Sequence, residues 1–136
     1  MKRLLLIGLG AALIATIIGL AMYHKPHQSM TKAKPDYTLS AQALFSEYEA
    51  DEANSNKKYL DKVIIVSGEV LTSDTESDQT RITLDAGGML GGVICQLDPL
   101  SEHSRTSFSP GESVGFKGLC TGMLMDVVLV RCIEVK

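Results

Sequence analysis

The chain has no tryptophan, and its seven other aromatic residues are only 5% of 136 positions. A surface built to stack nucleobases needs rings, and none occurs between Tyr59 and Phe108. The three cysteines, Cys95, Cys120 and Cys132, form no CxxC pair, and no histidine or carboxylate cluster accompanies them at zinc-ligand spacing. A basic excess is missing too. The formal net charge is −3, and setting Lys2 and Arg3 aside makes it −5, the wrong sign for a polyanion-binding surface. The only glycine-rich run, residues 87–92, leads into a strand pattern rather than a helix N-terminus, which excludes a phosphate loop. These absences point to no cofactor, no metal and no enzyme.

Charge is also missing from Leu4 to Met22, 19 residues in which Thr16 is the one clearly polar member. As a helix this run covers roughly 28 Å, close to the hydrocarbon thickness of a bilayer. It predicts a transmembrane anchor over residues 1–23. A cleaved signal peptide with Gly19-Leu20-Ala21 as its processing site is the competing reading. No cysteine lies near the end of the run, so lipoprotein-type attachment is not available. Lys2 and Arg3 favour an N-inside orientation, against which Lys25, Lys32 and Lys34 pull. The expected location is the inner membrane, single-pass, with the C-terminal domain periplasmic.

Residues 24–37 carry two prolines, mixed charge and no apolar period, and read as a tether that lets the domain stand off the bilayer. His24 and His27 within it are exposed interface histidines rather than ligands. A helix follows, with Ser40 as N-cap, Leu39 placed to staple onto Leu44, and Ala41, Leu44, Phe45 and Tyr48 on one face. Glu47, Glu49, Asp51 and Glu52 read as its solvated side.

From Lys62 the apolar period becomes two, and five strands are expected. The first, Val63 to Leu71, has a kink at Gly68; the others are Arg81 to Asp85, Val93 to Leu97, Ser113 to Cys120 and Asp126 to Val135. Ser73 to Gln79 and Asp98 to Gly111 read as loops. Alternation places Ile64, Val66, Val70, Ile82, Leu84, Val93, Cys95, Leu97, Val114, Phe116 and Cys120 inward. Ile65, Ser67, Glu69, Arg81, Thr83, Asp85, Ile94 and Gln96 face outward, a nearly neutral set. The architecture implied is all-β with one N-terminal helix: a small five-stranded Greek-key barrel over 38–136, preceded by a transmembrane helix.

Two runs carry a family likeness. Leu44-Phe45, Tyr48 to Asn54, and Tyr59-Leu60-Asp61-Lys62-Val63-Ile64 with Val66-Ser67-Gly68-Glu69-Val70 form the first; Lys117 to Cys132 forms the second. Over roughly 38–135 the sequence resembles the tRNA_anti-like OB-fold family of small bacterial proteins, which often carry an N-terminal membrane segment. The resemblance implies an OB-type barrel and, by name, kinship with nucleic-acid binders. Fold kinship does not carry function.

The functional expectation is a non-enzymatic, membrane-anchored interaction module of the cell envelope. Its partners are the membrane, through residues 4–22, and a protein, peptide or small molecule. Nucleic-acid binding is the alternative. Lys117, Asp126 and Arg131 are the candidate binding residues, and Lys117 and Asp126 are also placed to pair across the last hairpin. Two readings of the cysteines stand side by side: three buried free thiols acting as small hydrophobes, or, outside the cytoplasm, one disulfide, first between Cys120 and Cys132, then between Cys95 and Cys120. Ser101, His103 and Ser104 supply nucleophile and base types without a framework to orient them.

Overall fold

A computed structural model describes residues 1–23 and 29–136, with side chains described at position 1 and from residue 7 onward. His24, Lys25 and His27 lie outside the described residues.

Helix α1, Lys2–Tyr23, is followed by strand β1, Tyr37–Ser40, and helices α2, Ala41–Ala50, and α3, Glu52–Tyr59. Five longer strands come next: β2, Val63–Glu76; β3, Gln79–Asp85; β4, Gly92–Leu97; β5, Ser113–Met123; and β6, Val127–Val135. They pair in the order β2-β3-β4-β6-β5, and β5 pairs back onto β2, which closes a five-stranded barrel. The β4–β6 pair is parallel and the other barrel pairs are antiparallel. This is the OB-type topology expected.

Strand β2 makes closure possible by serving two partners in turn. Val63 to Glu69 pair with β5, and Val70 to Glu76 pair with β3. The irregularity between the halves is a bulge at Leu71, not the expected kink at Gly68, where pairing with β5 runs unbroken. Gly68 meets a different need. A Cβ there would lie 3.1 Å from the Cβ of Ala41, so its bare backbone lets the start of α2 approach β2.

Every side chain expected to point inward is buried, from Ile64 and Val66 at 0% exposure to Val114 at 8%. Helix α2 covers one end of the barrel with Ala41, Leu44, Phe45 and Tyr48, the face its periodicity gives. Ser40 Oγ accepts from the Ala43 amide, as an N-cap should. The helix then breaks at Asp51, whose carboxylate caps α3 by accepting from the Asn54 amide. The acidic run is therefore not one solvated face. Asp51 is a cap, and Glu47 accepts from Lys58 Nζ at 2.9 Å and Tyr59 Oη at 2.8 Å, clasping α2 to α3. The Lys58 bond outweighs the opposing effect of burial and, with a lesser contribution from the Tyr59 bond, holds the Glu47 carboxyl below its ordinary pKa.

Two further expectations are corrected, and a third is met only in part. Ser73 to Gln79 is not a loop: both strands run on to a two-residue turn in which Ser77 and Asp78 have φ of 50° and 64°. Asp tolerates that left-handed backbone, and two such residues make the tight hairpin that matches strand twist. Residues 29–36 are not a free tether. Met30 is 2% exposed, Lys117 Nζ donates to the Thr31 and Ala33 carbonyls, and Asp36 exchanges bonds with the Val63 backbone ahead of the parallel β1–β2 ladder. Lastly, α1 is a helix whose described side chains from 7 to 23 are all exposed, but among the described residues no helix is long and apolar enough to cross a membrane. The helix over 4–22 is found; the crossing is not.

Strand β6 bulges at Arg131, whose φ is +55°, opposite Gly118 of β5. A Cβ on Gly118 would stand 2.5 Å from Cys132 Sγ and 3.0 Å from the Val130 carbonyl oxygen. Gly118→Ala should therefore lower unfolding stability by about 1–3 kcal/mol through overpacking. Adding Cys132→Ala should make the double variant cost less than the sum of the two single changes, as read from urea unfolding.

Candidate functional site

The face of β3 and β4 is where OB barrels usually receive ligands. Here Arg81 and Asp85 are exposed, and Thr83, Ile94 and Gln96 are partly exposed. One cation, one anion and no ring make it neutral. At one end stands the β2–β3 hairpin with Asp74, Glu76 and Asp78, all exposed and acidic. The rings are elsewhere. Phe45, Tyr48, Tyr59, Phe108 and Phe116 are buried, and Tyr37 lies edge-on to Tyr59 with ring centres 5.0 Å apart.

At the other end of β3, residues 86–91 meet the β5–β6 turn. Gly91 has φ +96°, and a Cβ there would fall 2.7 Å from the Phe45 ring and 2.8 Å from the Met125 carbonyl oxygen. Only glycine allows this approach. The Gly92 amide donates to Asp126 Oδ1 at 2.6 Å, so Asp126 latches the two loops together. The latch displays Met89 at 100% exposure, Leu90 at 83%, Leu124 at 95% and Met125 at 79%. Beside them is a cleft of about 470 Å³ between α3 and the β5–β6 hairpin, lined by Asn56, Leu60, Gly122, Met123, Leu124 and Val128, with Thr121.

The three expected binding residues are not brought together as a site. Lys117 is 8% exposed and holds the Thr31 and Ala33 carbonyls at 3.2 and 3.0 Å. Asp126 is the loop latch, so the two do not pair with each other as expected. Arg131 occupies the β6 bulge. Each of these positions has a local architectural task.

All three cysteines are free and buried. Cys120 faces the Tyr48 hydroxyl at 3.5 Å, whereas Cys132 hydrogen bonds Cys95, so the pairing expected between Cys120 and Cys132 is not formed. Burial first, and the Cys95 bond second, push the Cys132 thiol well above its ordinary pKa and keep it a protonated, unreactive group. Tyr48 is shifted upward by burial and by its bond to Cys120. Ser101 and His103 both bind Asp98: Ser101 Oγ donates to its carboxylate at 2.8 Å, and His103 Nε2 lies 2.7 Å from its carbonyl oxygen. They are turn fastenings rather than a nucleophile and its base. Arg105 pins the same long loop to Glu112 and Glu134 over the Phe108 ring.

The tRNA_anti-like family model matches residues 1–134. The chain belongs to the tRNA_anti-like family. The match takes in α1 as well as the barrel, a longer stretch than the 38–135 that carried the resemblance. The solved structure of a Klebsiella pneumoniae protein, named "putative nucleic acid-binding lipoprotein", is similar to this tRNA_anti-like chain with a TM-score of 0.56 and 14% identity. The likeness covers 73% of this chain and 92% of the Klebsiella protein, and at that identity it speaks to fold alone. No curated protein matches the chain.

The sequence reading passed over β1, the Lys117 dock and the Asp126 latch. Tyr37-Thr38-Leu39 is a β-favouring run that marked the first; the other two depend on contacts distant in sequence. Lys117→Met keeps the packing volume but leaves two carbonyls without their donor. Trypsin should then cut between Lys32 and Ala33 several-fold faster (Lys34 precedes Pro35 and is resistant), with the local opening cheaper by about 1–3 kcal/mol and global unfolding far less affected. Unchanged cleavage at Lys32 would show that Lys117 does not hold the segment.

Proposed function

We propose that this chain is a non-enzymatic binding module of the bacterial cell envelope: an OB-type barrel tethered to the inner membrane by residues 4–22, single-pass, with the barrel on the periplasmic side. The uncharged run from Leu4 to Met22 and its exposed helix support the anchor, and Lys2 and Arg3 support the orientation. The ligand class is a protein, peptide or small molecule. One observation carries the preference: the β3–β4 face offers Arg81, Thr83, Asp85, Ile94 and Gln96, a neutral surface without a ring, beside an acidic hairpin. Such a face suits hydrogen bonding to a neutral partner and repels a phosphate backbone.

A second reading, nucleic-acid binding, is favoured by the family's name and by the name of the Klebsiella protein. The two readings differ in salt dependence. Full-length chain in detergent, passed over immobilised single-stranded DNA and RNA, should be retained no better than on bare matrix at low ionic strength. Retention that weakens linearly in log affinity with log salt would favour the second reading.

A further inference from the structure

We propose that the α2-covered end of the barrel rests on the bilayer, with Met89, Leu90, Leu124 and Met125 entering the lipid headgroup region. The inference rests on the reading of residues 4–22 as a membrane anchor, and it adds a second, peripheral contact to that anchor.

Four large apolar side chains at 79–100% exposure on two adjoining turns are unusual for a surface that only meets water. Their surroundings indicate what they meet. Residues 86–92 read Ala-Gly-Gly-Met-Leu-Gly-Gly, with no polar side chain. The other turn has one charged group, Asp126, and its carboxylate is turned onto the Gly92 amide at 2.6 Å. The tips thus lack the hydrogen-bonding side chains that a specific polar partner would engage, while a hydrocarbon boundary asks for none. The latch also holds both turns at one level, as simultaneous entry requires.

The anchor makes so small a contact sufficient. Four side chains inserting shallowly bind weakly on their own, much as a single acyl chain does. Covalent attachment through the anchor keeps the barrel near the surface, so a weak second contact suffices. End-on seating leaves the β3–β4 face exposed at the side.

The test uses full-length chain reconstituted into phosphatidylethanolamine–phosphatidylglycerol vesicles. The three native thiols are 0% exposed, so a cysteine added at the surface can be labelled selectively without denaturant. Leu124→Cys and Ser77→Cys are each labelled with an environment-sensitive dye, and part of the lipid carries a nitroxide high on the acyl chain. The 124 label should be blue-shifted and quenched at least about twofold more than the 77 label, and Met89→Ser with Leu90→Ser should remove most of that difference. Circular dichroism melting checks that each variant folds. Equal quenching at 124 and 77 in chain that floats with the vesicles would overturn this inference and leave the anchor standing. Failure to float would overturn both. A blue shift at 124 that appears in detergent without lipid and grows with protein concentration would assign the surface to a second copy instead.

Discussion

Strand β2 has to lie in both halves of the barrel at once. Its first seven residues pair with β5 and its last seven with β3, and the β2–β5 pairing is the one contact that turns an open sheet into a barrel. The inward sets of all five barrel strands are dry only because that seam is shut. Val63, Val66 and Glu69 stand opposite Leu119, Phe116 and Ser113, so the seam joins residues about fifty apart in sequence. The remaining architecture serves it. Leu71 bulges so that β2 can change partners, Gly118 and the Arg131 bulge let β6 press onto β5, and α2 covers the end of the barrel with Phe45 and Tyr48.

Most groups that looked chemically available are spent on that architecture. Lys117 fastens the segment before β1, Asp126 latches two turns, Asp98 gathers Ser101 and His103, and Glu47 clasps α2 to α3. What remains on the surface is a neutral sheet face, an acidic hairpin and an apolar rim at opposite ends. A molecule so divided suits a module oriented at a boundary. Where a loose linker was expected, residues 29–36 are docked on the barrel instead.

The barrel was legible because its signal is local. Alternation through Ile64, Val66, Ile82, Leu84, Val93 and Cys95 names the inside of each strand, and closure follows from the strand count. Ser40 and the Ala41, Leu44, Phe45, Tyr48 stripe likewise name α2. Where sequence failed, the deciding partner was distant or the backbone chose an uncommon conformation. Ser77 and Asp78 form a tight turn without glycine, so a continuous hairpin looked like a loop. Gly68 signalled a bend but serves a helix contact. Cys120 and Cys132, on neighbouring strands, suggested a pair; inside the barrel one turns to Tyr48 and the other to Cys95. The exposed rim was not legible, since nothing local shows that the 89–90 and 124–125 turns meet in space.

Native-state hydrogen exchange at the β2–β5 seam tests the dependence of the fold on this closure most directly. Amides of residues 63–69 and 113–119 that face the partner strand should exchange only through global unfolding, with protection free energies equal to that of the whole domain, while β1 and α3 open at lower cost. Seam amides that exchange by local opening while the β3–β4 amides stay protected would show that the sheet is stable without closure, and would contradict the central role given to this pairing.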